Sequence, residues 1–381
     1  MNASPYVVIV SSAPPTPCGL ATFTAALRRA LVRQGARVGI VRVQSVSDSP
    51  VDPSDDIDVI GTFTEASAPT IERLRVLLDQ ADLVLVQHEY GLYGGRDGDE
   101  ILELLRVVRA PVIAILHTIL PRPTAHQATI LNEVMQCADR VVVMTQAARA
   151  TIAEVFDAGT TPVDVIPHGG QVVPRRPLMR RSLRPMLLTW GLLGPGKGIE
   201  WVIDALADLR DLQPTPLYVV AGRTHPKVLE HEGEAYRRSL ERRVVQRGVG
   251  EMVVFDDTYR SLSSLHDLID QADVVVLPYD STDQATSGVL VDAVAAGKPV
   301  VATAFPHAVE LLIPDAGVVV RHRSPRALSD ALRRTLEEPG LLEALGDGAR
   351  RRAPALSWDS VAAAYLALAS DVTCEQNAVV A

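Results

Sequence analysis

Of the 37 lysines and arginines in this chain, only three are lysines, at positions 197, 227 and 298. Lys197 stands in Thr189-Trp190-Gly191-Leu192-Leu193-Gly194-Pro195-Gly196-Lys197-Gly198-Ile199, between a short apolar run and a helix-period segment. Glycines let a backbone come close to a ligand, and a helix N-terminus offers unpaired N–H groups to an anion. With lysine as a point charge, Gly191, Gly196 and Lys197 are suited to holding phosphate. The plainer alternative is a turn carrying an exposed lysine. The run also approaches the P-loop pattern Gly-x-x-x-x-Gly-Lys-Ser/Thr, but position 198 is glycine and lacks the hydroxyl that would hold Mg²⁺.

A second segment of this kind follows the apolar run ending at Pro278. A polar loop through Gln284 leads to Ser287-Gly288-Val289, where another helix opens. The amides of Ser287, Gly288 and Val289 form a nest suited to phosphate, and Asp292, one turn into the helix, is placed for a ribose hydroxyl. Read alone, an aspartate in this position is more often a solvated helix acid. In the first half, Gln87-His88-Glu89-Tyr90-Gly91 closes one apolar run and His117 closes another; a lone histidine at a strand end is as readily structural as a ligand. Asp56-Ile57-Asp58 precedes an apolar run inside an acidic stretch and reads as a solvated loop. No His/Cys/Asp cluster has the spacing of a metal site, and no nucleophile elbow is present.

Elements that gather strand ends must position these residues. Short Val- and Ile-rich runs without strict alternation are interspersed with helix-period segments, the pattern of parallel sheets covered on both faces. Strands are predicted at Tyr6–Ser11, Val38–Val43, Val59–Phe63, Leu83–Gln87, Val112–Leu116, Arg140–Met144 and Val163–Ile166, and again at Met186–Trp190, Leu217–Ala221, Met252–Phe255, Val274–Pro278, Pro299–Ala302 and Gly317–Val320. Helices fall between them, among them Ala21–Gln34, Asp99–Val108, Ile199–Leu209 and Gly288–Ala296. Residues 171–185 carry three prolines and five arginines and no helical stripe, so they read as a linker. The fold predicted is α/β, two doubly wound Rossmann-like domains facing across a cleft. The first spans 1–172 and is completed by about 366–381; a linker covers 173–185; the second spans 186–365. A last helix from Trp358 to about Ser370 is expected to cross back to the first domain.

Composition removes several functions. At 47% hydrophobic and 22% charged residues the chain is globular, and a net charge of −9 with 4% aromatics leaves no footprint for nucleic acid. No run approaches the roughly 18 apolar residues of a membrane span, and no signal peptide is recognised. The arginines at 175, 176, 180, 181 and 184 admit at most a peripheral membrane contact. Cys18, Cys137 and Cys374 are scattered and odd in number, which points to a reducing cytoplasm.

Taken together the segments resemble family 4 of the retaining glycosyltransferases, the GT-B group that includes sucrose synthases and phosphatidylinositol mannosyltransferases. The carriers are Gly191 with Lys197-Gly198, the pair Gln284 and Asp292 where the family has two glutamates, Gly297-Lys298-Pro299-Val300-Val301, Val165-Ile166-Pro167-His168-Gly169, and Ser357-Trp358. The resemblance implies that the second domain binds a nucleotide diphosphate sugar, of GDP-mannose or UDP-glucose type, and the first an acceptor hydroxyl, with no metal or other cofactor. It implies that Lys197 stabilises the leaving diphosphate, that Gln284 and His117 orient the donor sugar, and that Gly19 and Thr22 lie where the first loop nears diphosphate and acceptor. His88, Glu89 and Tyr90 are expected on the acceptor side, and His168, in place of the usual Asn, as a brace. The family's loop arginine is Leu192 here; Arg223, after a predicted strand, is the expected substitute. A phosphorylase on the same fold, a catalytically silent nucleotide-sugar-binding protein and a P-loop hydrolase are the alternatives.

Overall fold

Valine and isoleucine dominate the apolar runs because the central strands are packed on both faces. The computed structural model describes residues 4–16, 18–44, 59–173, 184–258 and 260–380. In these, β1 (Tyr6–Ser11), β2 (Arg37–Val43), β3 (Val59–Phe63), β4 (Leu83–His88), β5 (Val112–Leu116), β6 (Arg140–Val143) and β7 (Val163–Val165) form one parallel sheet, ordered β3-β2-β1-β4-β5-β6-β7. A second parallel sheet holds β8 (Met186–Trp190), β9 (Leu217–Ala221), β10 (Val253–Asp256), β11 (Val274–Leu277), β12 (Val300–Thr303) and β13 (Gly317–Val320), ordered β10-β9-β8-β11-β12-β13. Val7 to Val10 and Val274 to Leu277 have no exposed surface. Each such side chain contributes about 1.5–3 kcal/mol on leaving water, and with both faces covered no alternation is needed.

In each sheet the order reverses beside the first strand: β1 lies between β2 and β4, and β8 between β9 and β11. Such switch points leave a crevice at the carboxyl ends of the strands. The loop after β1 enters the helix Gly19–Arg33, the loop after β8 enters Ile199–Leu206, and the loop after β11 enters Gly288–Ala295. Thus the glycine-rich segments of the sequence fall at switch points.

The chain divides into a first unit, Met1–Gly169 with Trp358–Ala381, and a second, Gly170–Ser357. The return to the first unit comes at Trp358, ahead of the position near 366 expected from sequence, because the Trp358 ring already packs there. It meets Phe23 edge to face at 5.1 Å and sits where a side chain on Gly169 would collide, 2.3 Å from its Cβ. The helix runs from Trp358 to Val380, ten residues beyond the expected end, and Val361, Ala362, Tyr365 and Leu368 bury against β1 and Gly19–Arg33. The predicted helix Asp99–Val108 shrinks to Ile101–Leu105. The expected linker lies mostly outside the described residues, as does Asp56-Ile57-Asp58.

Candidate functional site

The turn after β8 is held by backbone contacts that exclude side chains. Gly198 has φ +68, and a Cβ there would lie 1.8 Å from the Pro278 carbonyl oxygen; a Cβ on Gly222 would lie 1.9 Å from that of Gly191. The loop is thereby pressed onto the ends of β11 and β9. Position 198 has no room for a serine or threonine, which removes the P-loop reading on steric grounds.

Lys197 is half-buried, its Nζ 4.8 Å from the centroid of the buried Tyr279 ring. Burial lowers the pKa of its ammonium from the usual lysine value, and an anion placed beside it offsets that desolvation. A cavity of about 390 Å³ opens here, lined by Gly196, Lys197, Tyr279, Asp280, Gln284 and Arg323, with Pro195 and Ser281. Gln284 donates its Nε2 to the Thr286 carbonyl at 3.1 Å, leaving its Oε1 as an acceptor. Of the residues singled out in the sequence, the cavity gathers Gly196, Lys197 and Gln284.

The others stand apart from it. Ser287 caps its helix through Oγ, which accepts from the Leu290 amide at 3.3 Å, while its own N–H donates to His307 Nδ1 at 2.9 Å. That removes one of the three amides expected to receive phosphate and leaves Gly288 and Val289. Asp292 is half-buried and takes a hydrogen bond from the Gln171 backbone; burial nonetheless pushes its carboxyl up to about 7. Arg223 is exposed and donates Nε to the Asp257 carbonyl at 3.2 Å, away from the cavity lining. The arginine that does line the cavity is Arg323.

In the first unit a neutral network occupies the switch point. Thr24 donates to the Leu20 carbonyl at 2.9 Å and accepts from Gln87 Nε2 at 2.8 Å; Gln87 Oε1 faces His117 Nε2 at 2.8 Å. Because the Gln87 nitrogen is spent on Thr24, its oxygen must accept, so His117 carries its proton on Nε2 and Nδ1 is left as an acceptor. Burial, with His168 and His88 nearby, pushes His117 down to about 3. Its ring stands edge-on to Phe23 at 4.9 Å, and His168 meets the same Phe23 at 5.1 Å and Trp358 at 5.5 Å. His168 therefore braces the last helix. Gly19 opens its helix with no atom within 4 Å of a Cβ position, after Cys18, whose Sγ accepts from the Ala21 amide at 3.4 Å. Thr22 is exposed and donates to the Cys18 carbonyl at 3.3 Å.

His88 corrects the sequence expectation. β4 runs one residue further than predicted, pairing His88 with Leu116, and the ring is fully buried with no hydrogen-bond partner on either nitrogen among the described residues. Burial lowers it to about 4, so it is a neutral core residue and offers nothing to an acceptor. Glu89 accepts from Thr118 Oγ1 at 2.5 Å and Tyr90 Oη reaches the Gln127 carbonyl at 3.5 Å; both remain half-buried. Sequence reasoning missed His307 and Arg323, and took Gln87 only as one of the polar groups closing its strand. Gln87 was legible as a polar residue closing a valine-rich strand, and Arg323 as part of Arg321-His322-Arg323 closing another.

Residues 175–352, within the second unit, match the family model of glycosyl transferases group 1, and residues 17–170 match that of glycosyltransferase family 4. The chain belongs to glycosyltransferase family 4. The fold is that of this family: it superposes on the sucrose-phosphate synthase of Thermosynechococcus elongatus with a TM-score of 0.75 at 20% identity, covering 97% of this chain and all of that one. Anabaena HepE, solved in complex with UDP and glucose, gives a TM-score of 0.74 at 17% identity over 96% of this chain and 100% of HepE. Among sequence relatives, a D-inositol 3-phosphate glycosyltransferase of Kineococcus radiotolerans is 29% identical over 266 residues, which are 62% of this chain and 58% of that protein. The chain thus spans under two thirds of the length of that family relative.

Proposed function

We propose that the protein moves a hexosyl group from a nucleoside diphosphate sugar to an acceptor hydroxyl, with retention of configuration and without a metal ion. The observation that carries this reading is the cavity at the second switch point, where a half-buried lysine, a side-chain-free glycine turn and Gln284 share one wall. As the bond between the anomeric carbon and the phosphate oxygen breaks, negative charge grows on the diphosphate. Lys197 and the amides of Gly288 and Val289 stabilise it, a contribution of a few kcal/mol for each well-placed donor. Asp292 holds the ribose and Gln284 a sugar hydroxyl. In the first unit, His117, whose Nδ1 can accept from a hydroxyl, is part of the proposed sugar- and acceptor-recognition set together with Gly19, Thr22, Glu89 and Tyr90. The acceptor oxygen attacks on the face the leaving group departs from, and its proton passes to the departing phosphate oxygen. UDP-glucose and GDP-mannose are the first donors to test, with polyols as acceptors.

No helix among the described residues is long and apolar enough to cross a membrane, and all three cysteines are free thiols; a reducing cytoplasm is part of the proposal. The test is release of UDP or GDP from these donors by purified protein, with polyol acceptors, with and without excess EDTA. Sustained release in chelator supports the reading. Loss of activity restored by Mg²⁺ or Mn²⁺ contradicts its metal-free part. Donor binding with neither transfer nor hydrolysis favours a silent binding protein, and glycoside cleavage that requires inorganic phosphate favours a phosphorylase.

A further inference from the structure

We infer that Arg323 is a ligand-binding residue: with Lys197 it grips the sugar-bearing phosphate of the donor, supplying the cation that Leu192 does not. The inference rests on the nucleotide-sugar reading above and adds to it a residue from a different strand end.

Three observations lead there. Arg323 takes φ +53, a left-handed conformation that glycine adopts freely and a residue with a Cβ adopts only at a cost. The turn itself needs no arginine: it runs from β13 to Ser324, whose Oγ caps the helix Pro325–Glu337 by accepting from the Ala327 amide at 3.2 Å. The contact of Arg323 Nε with Asp280, 3.4 Å long at a largely exposed side chain, is of the kind that contributes little to stability. Strain retained without a local structural return points to function.

The turn is also tied to the cavity wall. His322 Nδ1 hydrogen-bonds the Tyr279 carbonyl at 2.8 Å, the residue whose ring lies under Lys197. Arg321 Nε donates to Ser324 Oγ at 2.9 Å, fixing the other side. The guanidinium of Arg323 is thus presented to the space that Lys197 enters.

Charge and chemistry complete the case. Asp280 also lines the cavity; its carboxylate accepts from Trp201 Nε1 at 2.7 Å and faces Arg323, which screens it from an anion. A diphosphate carries more charge than one ammonium balances, and a guanidinium offers the planar pair of donors that phosphate oxygens accept. Gln284, assigned to the sugar, lines this cavity, whereas Asp292, assigned to the ribose, does not. The phosphate within reach of Arg323 is therefore the one next to the sugar.

The experiment compares Arg323→Gly and Arg323→Lys with wild type by calorimetry against UDP, GDP, UMP and GMP, alongside thermal unfolding. Arg323→Gly is expected to unfold at the same or a higher temperature, because strain is relieved, and to bind the diphosphates roughly tenfold or more weakly. Its affinity for the monophosphates should stay within about twofold, and Arg323→Lys should fall between. Unchanged diphosphate affinity in Arg323→Gly, or equal losses for mono- and diphosphates, would overturn the inference while leaving the nucleotide-sugar reading intact. If wild type binds none of the four nucleotides, both fall.

Discussion

The two sheets share one strand order, yet their switch points are furnished in opposite ways. At the first, Gln87, His88, His117 and His168 form a desolvated neutral set, the histidines pushed down to about 4, 3 and 4 by burial. At the second, Lys197, Asp280 and Arg323 are charged groups around an open cavity, with Asp292 near its own midpoint at neutral pH. Topology supplies the same crevice twice; the loops decide which one is lined by charged groups and which by neutral ones. A neutral imidazole with a free lone pair suits a sugar hydroxyl, and a partly desolvated ammonium suits a phosphate.

The largest expected effect breaks the charged half of this contrast. Lys197→Ala should lower transfer by roughly two to three orders of magnitude, as expected for a group that stabilises charge formed during the reaction. Its melting temperature should stay near wild type, because Nζ rests on a ring face and fills no core. Steady-state transfer kinetics beside a thermal melt check both.

Next comes the neutral half. Gln87→Leu leaves His117 Nε2 without its acceptor and Thr24 without its donor. Leaving such buried groups unpaired costs about 1–3 kcal/mol of stability. Without Gln87 the His117 tautomer is no longer fixed, so kcat should fall roughly tenfold to a hundredfold while affinity for free nucleoside diphosphate is unchanged. A merely structural role would lower stability and leave the kcat of the folded protein alone.

The smallest effect is one of pH, and its sign differs between the units. The three histidines have folded values below the ordinary 6.5, so the unfolded chain binds more protons between about 6.5 and 4 and the first unit loses stability as pH falls through that window. Asp292 runs the other way: its folded value of about 7 exceeds the ordinary 3.8, so its contribution is full below that value and lost as pH rises toward 7. Asp292→Asn should therefore gain on wild type in melting temperature between pH 4 and pH 7, while His117→Gln should blunt the loss on the acid side. Melts across that range read both.

Much of this was legible in the sequence, and the limits have physical causes. Strand ends fell within about a residue of prediction because valine-rich runs covered on both faces are hard to mistake. Lys197 was legible because a lysine among glycines at a helix start has few other uses. His88 was not, since one more residue of β4 moves it from loop to core. Ser287 was misjudged because its amide partner, His307, lies twenty residues away on another helix. Arg323 stood in a visible basic run, but its role was not: it reaches the cavity from the end of β13, and its backbone conformation and the contact of the neighbouring His322 with Tyr279 reveal that placement.

The central claim, that the second unit alone holds the nucleotide diphosphate, is tested most directly by calorimetric titration of free UDP and GDP into Lys197→Ala and His117→Ala. Binding to Lys197→Ala should be at least about tenfold weaker, and binding to His117→Ala should change by no more than about twofold. Wild-type affinity in Lys197→Ala together with lost affinity in His117→Ala would contradict it.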